Sequence, residues 1–238
     1  MNDFNHIEEC PTTMEAILPF LKNQPTSIVS LYTFNQTQGK GQYGNRWETP
    51  INKNIAFSLG IPASFIKTSL TFFNFHTALL IQDYLSELTD TAAEIKWPND
   101  TIVSGKKVSG FIIEKRKIDQ IDYYIIGIGL NVNHDQYEHL PKAGSLLTAT
   151  GKNYNLHHVA EGLFEALKFG FTHPKTDDEI LELYNKNLFK KDKITVFKKN
   201  EIRQNGIIKY ADKEGYLWIE LEQDGLQKFY HKEIEMLY

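Results

Sequence analysis

The sequence predicts an α+β fold, in which a mixed β-sheet with flanking helices is followed by a small C-terminal β-barrel. Three observations lead to this prediction. One long helical pattern of apolar residues lies among β segments, those segments are joined by short turns that favour antiparallel or mixed pairing, and β patterns return after Leu188. A length of 238 residues is enough for one large domain and one small one. We place these domains at residues 1–188 and 189–238.

The first half of the chain contains strands and one long helix. Ser27–Phe34 and Asn54–Ile61 are rich in β-branched and aromatic residues, which predicts strands. From Ser69 to Leu88 the apolar residues recur every three or four positions, which predicts a core-packed helix with Ser69 as its N-terminal cap. Further short strands are predicted at Glu94–Lys96, Thr101–Val103, Val108–Lys115 and Tyr123–Asn131.

Two helices and a final group of strands complete the predicted fold. His157–Phe171 and Asp178–Asn187 have helical patterns, and Asp177 and Asp178 place acceptors and negative charge at the start of the second helix. Both helices are expected to cover one face of the sheet. The C-terminal strands are predicted at Lys193–Phe197, Gly206–Tyr210, Tyr216–Glu222 and Leu226–Tyr230, with turns at Asn205-Gly206, Lys213-Glu214-Gly215 and Asp224-Gly225.

The charge and apolar patterns exclude several classes of protein. Lys and Arg number 26 against 30 Asp and Glu, a net charge of -4, and no block of like charge indicates a nucleic-acid arm. No apolar run reaches the roughly 20 residues of a membrane-spanning helix, and the N-terminus lacks a signal-peptide pattern. We therefore expect a cytoplasmic protein that binds neither nucleic acid nor membranes. The single cysteine, Cys10, excludes an internal disulfide but leaves a nucleophilic role open.

The segment Gln36–Trp47 combines three glycines with two cations. Backbone amides near glycines can approach a phosphate closely, while Lys40 and Arg46 supply positive charge. The spacing matches neither a Walker loop nor, without a following helix, a dinucleotide fingerprint. The alternative interpretation is that these glycines only form turns.

The pentapeptide Lys96–Asp100 presents an amide and a carboxylate together at the end of a strand. The reason is that the Trp97-Pro98 pair forces an extended turn there. Asp100 is therefore a candidate to help hold Mg²⁺ on a bound nucleotide. An Asx turn without any ligand is the alternative.

Two further segments place glycines inside apolar strands. Lys106–Glu114 puts Lys107 at the mouth of a strand whose interior Gly110 predicts a close ligand approach. Gly127–Asn133 has two such glycines and contains Asn131, whose amide can both donate and accept hydrogen bonds. The alternatives are a solvated turn lysine and a bulged core strand.

Together and in this order, the four segments resemble the biotin protein ligase family, in its form without an N-terminal DNA-binding domain. The family's marks are a glycine-rich loop ending in Trp, Lys-Trp-Pro-Asn-Asp, Lys-(Leu/Val)-x-Gly-Ile-(Leu/Ile)-x-Glu and Gly-x-Gly-x-Asn. The most specific match is Lys96–Asp100 followed by Lys107–Glu114, and the resemblance covers almost the whole chain. It implies a sheet of the kind shared with lipoate ligases and an SH3-like C-terminal barrel.

The resemblance also implies a reaction. Biotin is joined to AMP from ATP with release of pyrophosphate, and the biotinoyl group then passes to a lysine on a biotin carboxyl carrier protein or domain. Lys107, Asp100 and Lys40 are the implied catalytic residues. Lys107 and Lys40 are expected to stabilise charge at the α-phosphate, and Asp100 is expected to contact Mg²⁺ on ATP and to orient the acceptor amine. A homodimer is left open.

The family's binding positions carry over onto this sequence one residue at a time. Biotin is expected to contact Pro11, Thr12, Thr13, Gln36, Gly39, Lys40, Gly41, Gln42, Lys107 and Gly110. The nucleotide is expected to contact Lys40, Asn45, Arg46, Trp47, Asn99, Asp100, Lys107 and Asn131. Residues 39–44 are expected to form a lid that shields the adenylate from water.

Several of these positions depart from the family pattern. Pro11 and Thr13 replace the outer residues of Ser-Thr-Asn, which removes or replaces a hydroxyl and an amide that would meet biotin. Lys40 stands where arginine is usual and offers a point charge instead of a planar fork. The family also often has arginine at the position of Gln42, although glutamine can still form hydrogen bonds to the adenylate.

The sequence leaves three alternative functions to be weighed. A lipoate or octanoate transferase of the same fold would need an apolar tunnel and, in one branch, a cysteine nucleophile, and Lys96–Asp100 and the position of Cys10 argue against it. A biotin- or adenylate-binding module without catalysis is the alternative from another class, and the presence of Lys107, Asp100 and Asn131 argues against it. A repressor would need a helix-turn-helix ahead of the ligase part, and only about ten residues precede Pro11.

Overall fold

The computed structural model describes residues 3–24 and 26–238. Within these residues the chain forms two β-sheets. The strands of the larger sheet are β1 (Phe4–His6), β2 (Val29–Thr33), β3 (Asn54–Pro62), β4 (Ala93–Lys96), β5 (Asp100–Val103), β6 (Lys106–Ile118) and β7 (Ile121–Asn131). They lie in the order β1-β2-β3-β7-β6-β5-β4.

Strands β3, β7 and β6 form the centre of the larger sheet. Every residue of β3 is buried, and β7 pairs with β3 on one side and β6 on the other. Neighbouring strands are antiparallel except for β1 with β2, which are parallel. Asp119 and Gln120 join β6 to β7 with positive φ values of 44° and 71°, as a tight two-residue hairpin requires. The predicted mixed sheet is confirmed.

Helices cover both faces of this sheet. Those in the described ranges are α1 (Thr13–Ala16), α2 (Leu18–Lys22), α3 (Leu70–Thr89), α4 (Leu146–Thr150), α5 (Leu156–Thr172) and α6 (Asp177–Lys186). Apolar side chains of α3, α5 and α6 share one core with the sheet, while Ile17 and Leu21 pack with Val29 and Leu31 on the opposite face. None of these helices has both the length and the apolar composition needed to cross a membrane.

The helix starts show which capping predictions were accurate. Ser69 Oγ accepts the backbone N–H of Phe72 at 3.3 Å, as predicted. Helix α6 is capped by Thr176 instead of an aspartate. Thr176 Oγ1 accepts the N–H of Glu179 at 3.3 Å, and a Glu179 carboxylate oxygen accepts the N–H of Thr176 at 2.8 Å. Asp177 lies inside the first turn, so its carboxylate supplies favourable charge and not the cap.

The C-terminal strands form a second sheet that is antiparallel throughout. They are β8 (Ile194–Lys199), β9 (Ile202–Ala211), β10 (Leu217–Leu221), β11 (Gly225–Phe229) and β12 (Glu235–Leu237), in the order β11-β10-β9-β8-β12. The arrangement is consistent with an SH3-like domain. Across the described ranges no pairing joins β11 to β12, so the predicted small barrel takes the form of a five-stranded antiparallel sheet without closure between these strands.

The predicted turn at Asn205-Gly206 is wrong. Both residues lie within β9, and the turn between β8 and β9 is formed by Asn200 and Glu201, with φ values of 48° and 64°. Gly206 is needed for packing instead, because a Cβ there would lie 2.9 Å from a side-chain carbon of Leu221. Sequence patterns also missed the elements β1, α1, α2, α4 and β12, which are too short to show a periodicity.

The two sheets are joined by hydrogen bonds and by a shared apolar core. Trp97 Nε1 donates to Gly215 O at 3.2 Å. The side chain of Asn185 in α6 exchanges two hydrogen bonds with the backbone of Ala211, at 2.9 and 2.6 Å. Phe197 belongs to the same hydrophobic cluster as the helices on the larger sheet. The predicted domain boundary after residue 188 falls between α6 and β8.

We predict that Thr176→Ala, which removes the cap of α6, lowers the free energy of unfolding by about 1 kcal/mol. Urea unfolding at neutral pH, followed by circular dichroism, measures the change. Ser64→Ala removes an exposed hydroxyl and is the matched control, expected to change stability by less than about 0.5 kcal/mol. Equal effects of the two substitutions would show that the capping box does not stabilise the helix.

Candidate active site

A cavity of about 610 Å³ lies between the larger sheet and the C-terminal strands. Its wall is formed by the start of α1, the loop 36–47, residues of β4–β7 and side chains from residues 197–238. The volume is within the range of small-molecule sites, roughly 300–1,000 Å³. The cavity is therefore large enough for a substrate of ordinary metabolite size.

The Asp100 carboxylate lies between two lysine ammonium groups at the edge of this cavity. Its Oδ1 is 2.6 Å from Lys107 Nζ, and its Oδ2 is 3.4 Å from Lys96 Nζ. The Asp100 side chain is only 14% exposed, so water screens these attractions weakly. Strand register explains the arrangement, because Asp100 opposes Lys96 on β4 and Gly110 on β6.

Two glycines make room for side chains that line the cavity. A Cβ on Gly110 would lie 3.0 Å from Asp100 Oδ1 and 3.2 Å from Lys107 Nζ. A Cβ on Gly129 would overlap the indole of Trp47. The Trp47 ring centre also lies 5.5 Å from Lys107 Nζ, within the range of a cation–π contact. Glycine at 129 is thus required for the observed position of Trp47 beside the ion pair.

Backbone contacts close the glycine-rich loop 36–47 on itself. Trp47 N donates to Gly39 O at 3.0 Å, and Lys40 forms a short antiparallel bridge with Arg46. The side chains of Lys40 and Arg46 are exposed and contribute to the cavity lining. The loop therefore places two exposed cations at the cavity mouth.

Polar groups from α1 and the neighbouring loop form a second part of the lining. Gln36 Oε1 accepts from Thr13 N at 2.9 Å and from Thr13 Oγ1 at 3.3 Å. Ser58 Oγ donates to Thr13 Oγ1 at 2.8 Å. Thr12 Oγ1 accepts the N–H of Met14 and thereby caps α1. Hydroxyl and amide groups thus meet the apolar side chain of Met14 in this part of the cavity.

Most of the predicted site residues line the cavity. They are Thr12, Thr13, Gln36, Lys40, Gly41, Gln42, Asn45, Arg46, Trp47, Asn99, Asp100, Lys107 and Gly110. Pro11, Gly39 and Asn131 are outside the lining that the described residues form. Pro11 is exposed and its carbonyl accepts the N–H of Gln38 at 2.8 Å, while Gly39 is buried in the loop.

The side-chain amides of two predicted site residues, Asn131 and Asn99, form hydrogen bonds within the protein. Asn131 Nδ2 donates to Gly144 O at 2.9 Å, and its Oδ1 accepts from Asn54 Nδ2 at 3.1 Å. Asn131 is 6% exposed and holds the loop after β7 in place. Asn99 lines the cavity, but its Nδ2 donates to Phe111 O and so ties the turn between β4 and β5 to β6.

The cavity also contains residues that sequence reasoning did not identify as site residues. Lys96 and Trp97 lie in it, and their place in the pentapeptide is the signal that would have found them. Met14 and Gly127 lie in contact at its apolar part. Those contributed from beyond β7 are Lys142, Phe197, Leu217, His231, Lys232, Ile234, Glu235, Met236 and Tyr238. No motif marks this last group, because only the packing of the second sheet brings it to the cavity.

The cavity is cationic although the chain is anionic. Its acidic side chains, among the residues that the structure describes, are Asp100 and Glu235, and its basic ones are Lys40, Arg46, Lys96, Lys107, Lys142 and Lys232. A concave cationic surface concentrates anionic ligands. The imidazole of His231 and the phenol of Tyr238 favour their neutral forms. Burial and the nearby Lys96 lower the pKa of His231, and burial raises the pKa of Tyr238.

Cys10 lies outside the cavity lining that the described residues form. It is buried, and burial raises the pKa of its thiol to about 11. The thiolate is the nucleophilic form and is scarce at neutral pH in such an environment. The structure thus gives no support to a cysteine nucleophile.

The geometry at Asp100 bears on the predicted Mg²⁺ contact. Each carboxylate oxygen faces a lysine ammonium group, so a metal ion at this carboxylate would have to displace Lys107 or Lys96. No cluster of three or more His, Cys, Asp or Glu side chains able to hold a metal occurs within residues 3–24 and 26–238. These residues do not fit an ion held by Asp100, and the phosphates of a nucleotide are the better ligands for magnesium.

Known proteins share parts of this sequence and its fold. The chain is 26% identical over 212 residues to the bifunctional ligase/repressor BirA of Bacillus spizizenii, covering 84% of this chain and 64% of the relative. It is 28% identical over 123 residues to the biotin--[acetyl-CoA-carboxylase] ligase of Mycobacterium tuberculosis, covering 50% and 45%. The chain thus spans less than two thirds of the length of these curated relatives.

A solved structure and a family match extend the comparison. A biotin protein ligase from Aquifex aeolicus, in complex with biotin and ATP, has the same fold, with a TM-score of 0.77 and 22% identity over 100% of this chain and 99% of that one. Residues 11–131, half of the chain, match the biotin/lipoate A/B protein ligase family. This segment contains the glycine-rich loop, Lys96–Asp100 and Lys107. The chain belongs to the biotin/lipoate A/B protein ligase family.

Proposed function

We propose that the chain is an ATP-dependent biotin protein ligase that forms biotinoyl-5'-AMP and transfers biotin to a lysine on a biotin carboxyl carrier domain. The observation that carries the proposal is the ion pair of Lys107 with Asp100, in a cationic cavity beside a glycine-rich loop. Two similar proteins support it, since one is a biotin--[acetyl-CoA-carboxylase] ligase and the other is a biotin protein ligase in complex with biotin and ATP.

The first half-reaction is a problem of charge. An oxygen of the biotin carboxylate attacks the α-phosphorus of ATP, the bond from this phosphorus to the bridging oxygen breaks, and pyrophosphate leaves with the electron pair. Negative charge increases on the α-phosphoryl oxygens and on the leaving group. Fixed cations in a partly dehydrated cavity stabilise such charge. Lys107 and Lys40 supply these cations, and Arg46 adds a third at the cavity mouth.

Asp100 acts on Lys107 in this half-reaction. The 2.6 Å ion pair fixes the position of the ammonium group, which has three N–H donors and can still bind a phosphate oxygen while it contacts Asp100. A preorganised cation stabilises a transition state without having to move during the reaction. We therefore assign Asp100 a positioning role here, with no metal ion bound to its carboxylate.

In the second half-reaction the acceptor lysine attacks the anhydride carbonyl as a neutral amine. A carbon–nitrogen bond forms, the carbon–oxygen bond to AMP breaks, and the nitrogen loses a proton. Lys107 stabilises the negative charge that develops on the carbonyl oxygen. The carboxylate of Asp100 exchanges one of its two lysine contacts for the incoming ammonium group, which it orients and helps to deprotonate.

The coupled pair of Thr13 and Gln36 is our candidate contact for the polar ring of biotin, with Thr12 beside it. Because Gln36 already accepts two hydrogen bonds from Thr13, these groups are ordered before the ligand binds. Ordered groups lose little conformational entropy on binding. This pair offsets part of the change from Ser-Thr-Asn to Pro11-Thr12-Thr13.

The nearest rival function is a lipoate or octanoate transferase of the same fold. Its cysteine-dependent branch lacks support because Cys10 is buried and its pKa is raised. A binding module without catalysis is tested by the experiment below. The free thiol of Cys10 agrees with a reducing compartment, and we place the reaction in the cytoplasm.

We predict that the purified protein transfers labelled biotin to a carrier domain when ATP and magnesium are present, and that Lys107→Ala abolishes biotinoyl-AMP formation. The substitution removes the charge aimed at the α-phosphate. Pyrophosphate release and label on the carrier are measured together. Lys106→Ala, which removes an exposed lysine one residue away, is the matched control and retains activity. Wild-type pyrophosphate release by the Lys107 variant would contradict the assignment.

We predict that Gly129→Ala weakens ATP binding because its methyl group displaces the Trp47 indole. ATP affinity is measured by calorimetry for Gly129→Ala, Trp47→Ala and the double variant. If the methyl group acts through Trp47, the double variant binds ATP no more weakly than Trp47→Ala alone, since coupled residues are non-additive. Additive losses would show that Gly129 acts independently of the indole.

We predict that the charge of Lys40 retains the adenylate under the loop. Lys40→Ala still makes biotinoyl-AMP but releases it faster, and Lys40→Arg releases it more slowly than wild type because its fork forms two hydrogen bonds. Rapid filtration of enzyme with trapped adenylate measures the release rates, which are expected to fall in the order Ala, Lys, Arg. Identical rates in all three would show that Lys40 does not contact the bound adenylate.

A further inference from the structure

Two lysines on the cavity wall share one aromatic ring. The Tyr238 ring centre lies 5.0 Å from Lys142 Nζ and 5.9 Å from Lys96 Nζ. Phe189 packs against the same ring edge-on at 5.0 Å. All but Phe189 line the cavity. Tyr238, at the end of the second sheet, therefore sets the positions of the Lys96 and Lys142 ammonium groups.

Lys142 is tied to Lys107 through the backbone. Lys107 N donates to Lys142 O at 2.8 Å, and Gly144 N donates to Lys107 O at 3.0 Å. These two hydrogen bonds thus hold the backbone of Lys142 next to the backbone of Lys107. The loop 142–144 consequently has a defined place relative to the Lys107–Asp100 ion pair.

The side chain of Lys142 is held without being neutralised. Its Nζ donates to Met236 O at 3.2 Å and lies 3.6 Å from a carboxylate oxygen of Glu235. Glu235 also faces Lys198 at 3.4 Å, so its charge is shared. Lys142 is 41% exposed, and an ammonium group with three donors keeps capacity for an anionic ligand.

The charges of this wall favour a polyanion. Asp100 is already shared by Lys96 and Lys107, which leaves an excess of positive charge there. Lys142 increases that excess, and the neutral ring of Tyr238 holds both lysines without cancelling either charge. A ligand with several adjacent negative oxygens, such as a diphosphate, matches this arrangement.

We propose that Lys96 and Lys142, positioned by Tyr238, form a subsite for the pyrophosphate part of ATP, separate from the Lys107 contact to the α-phosphate. The inference rests on the proposed function, in which pyrophosphate leaves when biotin attacks the α-phosphorus. The subsite stabilises the charge that this leaving group acquires as its bond to the α-phosphorus breaks. Tyr238 is a positioning residue, since it acts through the two lysines.

The first test uses inorganic pyrophosphate as the probe and needs no turnover. Calorimetry compares wild type with Lys142→Gln at constant magnesium, and the variant is expected to bind pyrophosphate roughly tenfold more weakly, the loss typical of one charge-assisted contact. Lys106→Gln is the matched control, because Lys106 is exposed and donates to Pro141 O on the neighbouring loop. Equal affinities of wild type and Lys142→Gln would overturn the subsite.

The second test asks whether Tyr238 affects the binding of ATP and pyrophosphate without affecting the binding of biotin. Tyr238→Phe keeps the ring and is expected to retain the KM for ATP and the inhibition constant for pyrophosphate. Tyr238→Leu removes the ring and is expected to raise both several-fold while biotin affinity stays unchanged. An equal loss of biotin affinity in the Leu variant, or the failure of Phe to rescue, would show a general structural role and overturn the positioning role.

The two proposals fail in distinguishable ways. If the wild type binds pyrophosphate in a Lys142-dependent way but makes no biotinoyl-AMP, the proposed function is wrong and the anion subsite stands. If the wild type makes biotinoyl-AMP while Lys142→Gln binds pyrophosphate as the wild type does, the function stands and the subsite is wrong.

Discussion

The candidate site depends on the Asp100 carboxylate that lies between Lys107 and Lys96. Without it, two ammonium groups would face each other in a partly buried cavity, where repulsion is poorly screened. With it, both are held in place and a positive excess remains for an anionic substrate. The register of β4, β5 and β6 sets this cluster, so the pairing that builds the edge of the sheet also places its charges.

The cavity also depends on places where a side chain is absent. Gly110 leaves room for the ion pair, and Gly129 leaves room for the indole of Trp47. At both positions the glycine admits another side chain of the same protein to the surface of the sheet. These two strand glycines therefore report packing at the site more than backbone freedom, and the same is true of Gly206 in the second sheet.

The second sheet completes the site by adding charge and aromatic surface to a cavity that the first sheet leaves open. Its Phe197 and Leu217 contribute apolar lining, Lys232 and Glu235 contribute charge, and Tyr238 contributes an aromatic ring. The hydrogen bond from Trp97 to Gly215 joins the two sheets next to the motif residues. The lining of the cavity consequently depends on how the second sheet packs against the first.

The sequence by itself determined the types of the long elements and the four segments that carry most of the site, because periodicity, β-branched content and motif spacing are local properties. The tertiary structure decided what local patterns do not encode. It turned the amide of Asn131 towards Gly144 and away from the cavity, placed Gly206 inside a strand, and brought Tyr238 to Lys96. None of these outcomes is written in a local pattern: the Asn131–Gly144 contact closes a loop, Gly206 packs against Leu221, and Tyr238 reaches Lys96 because the two sheets pack together.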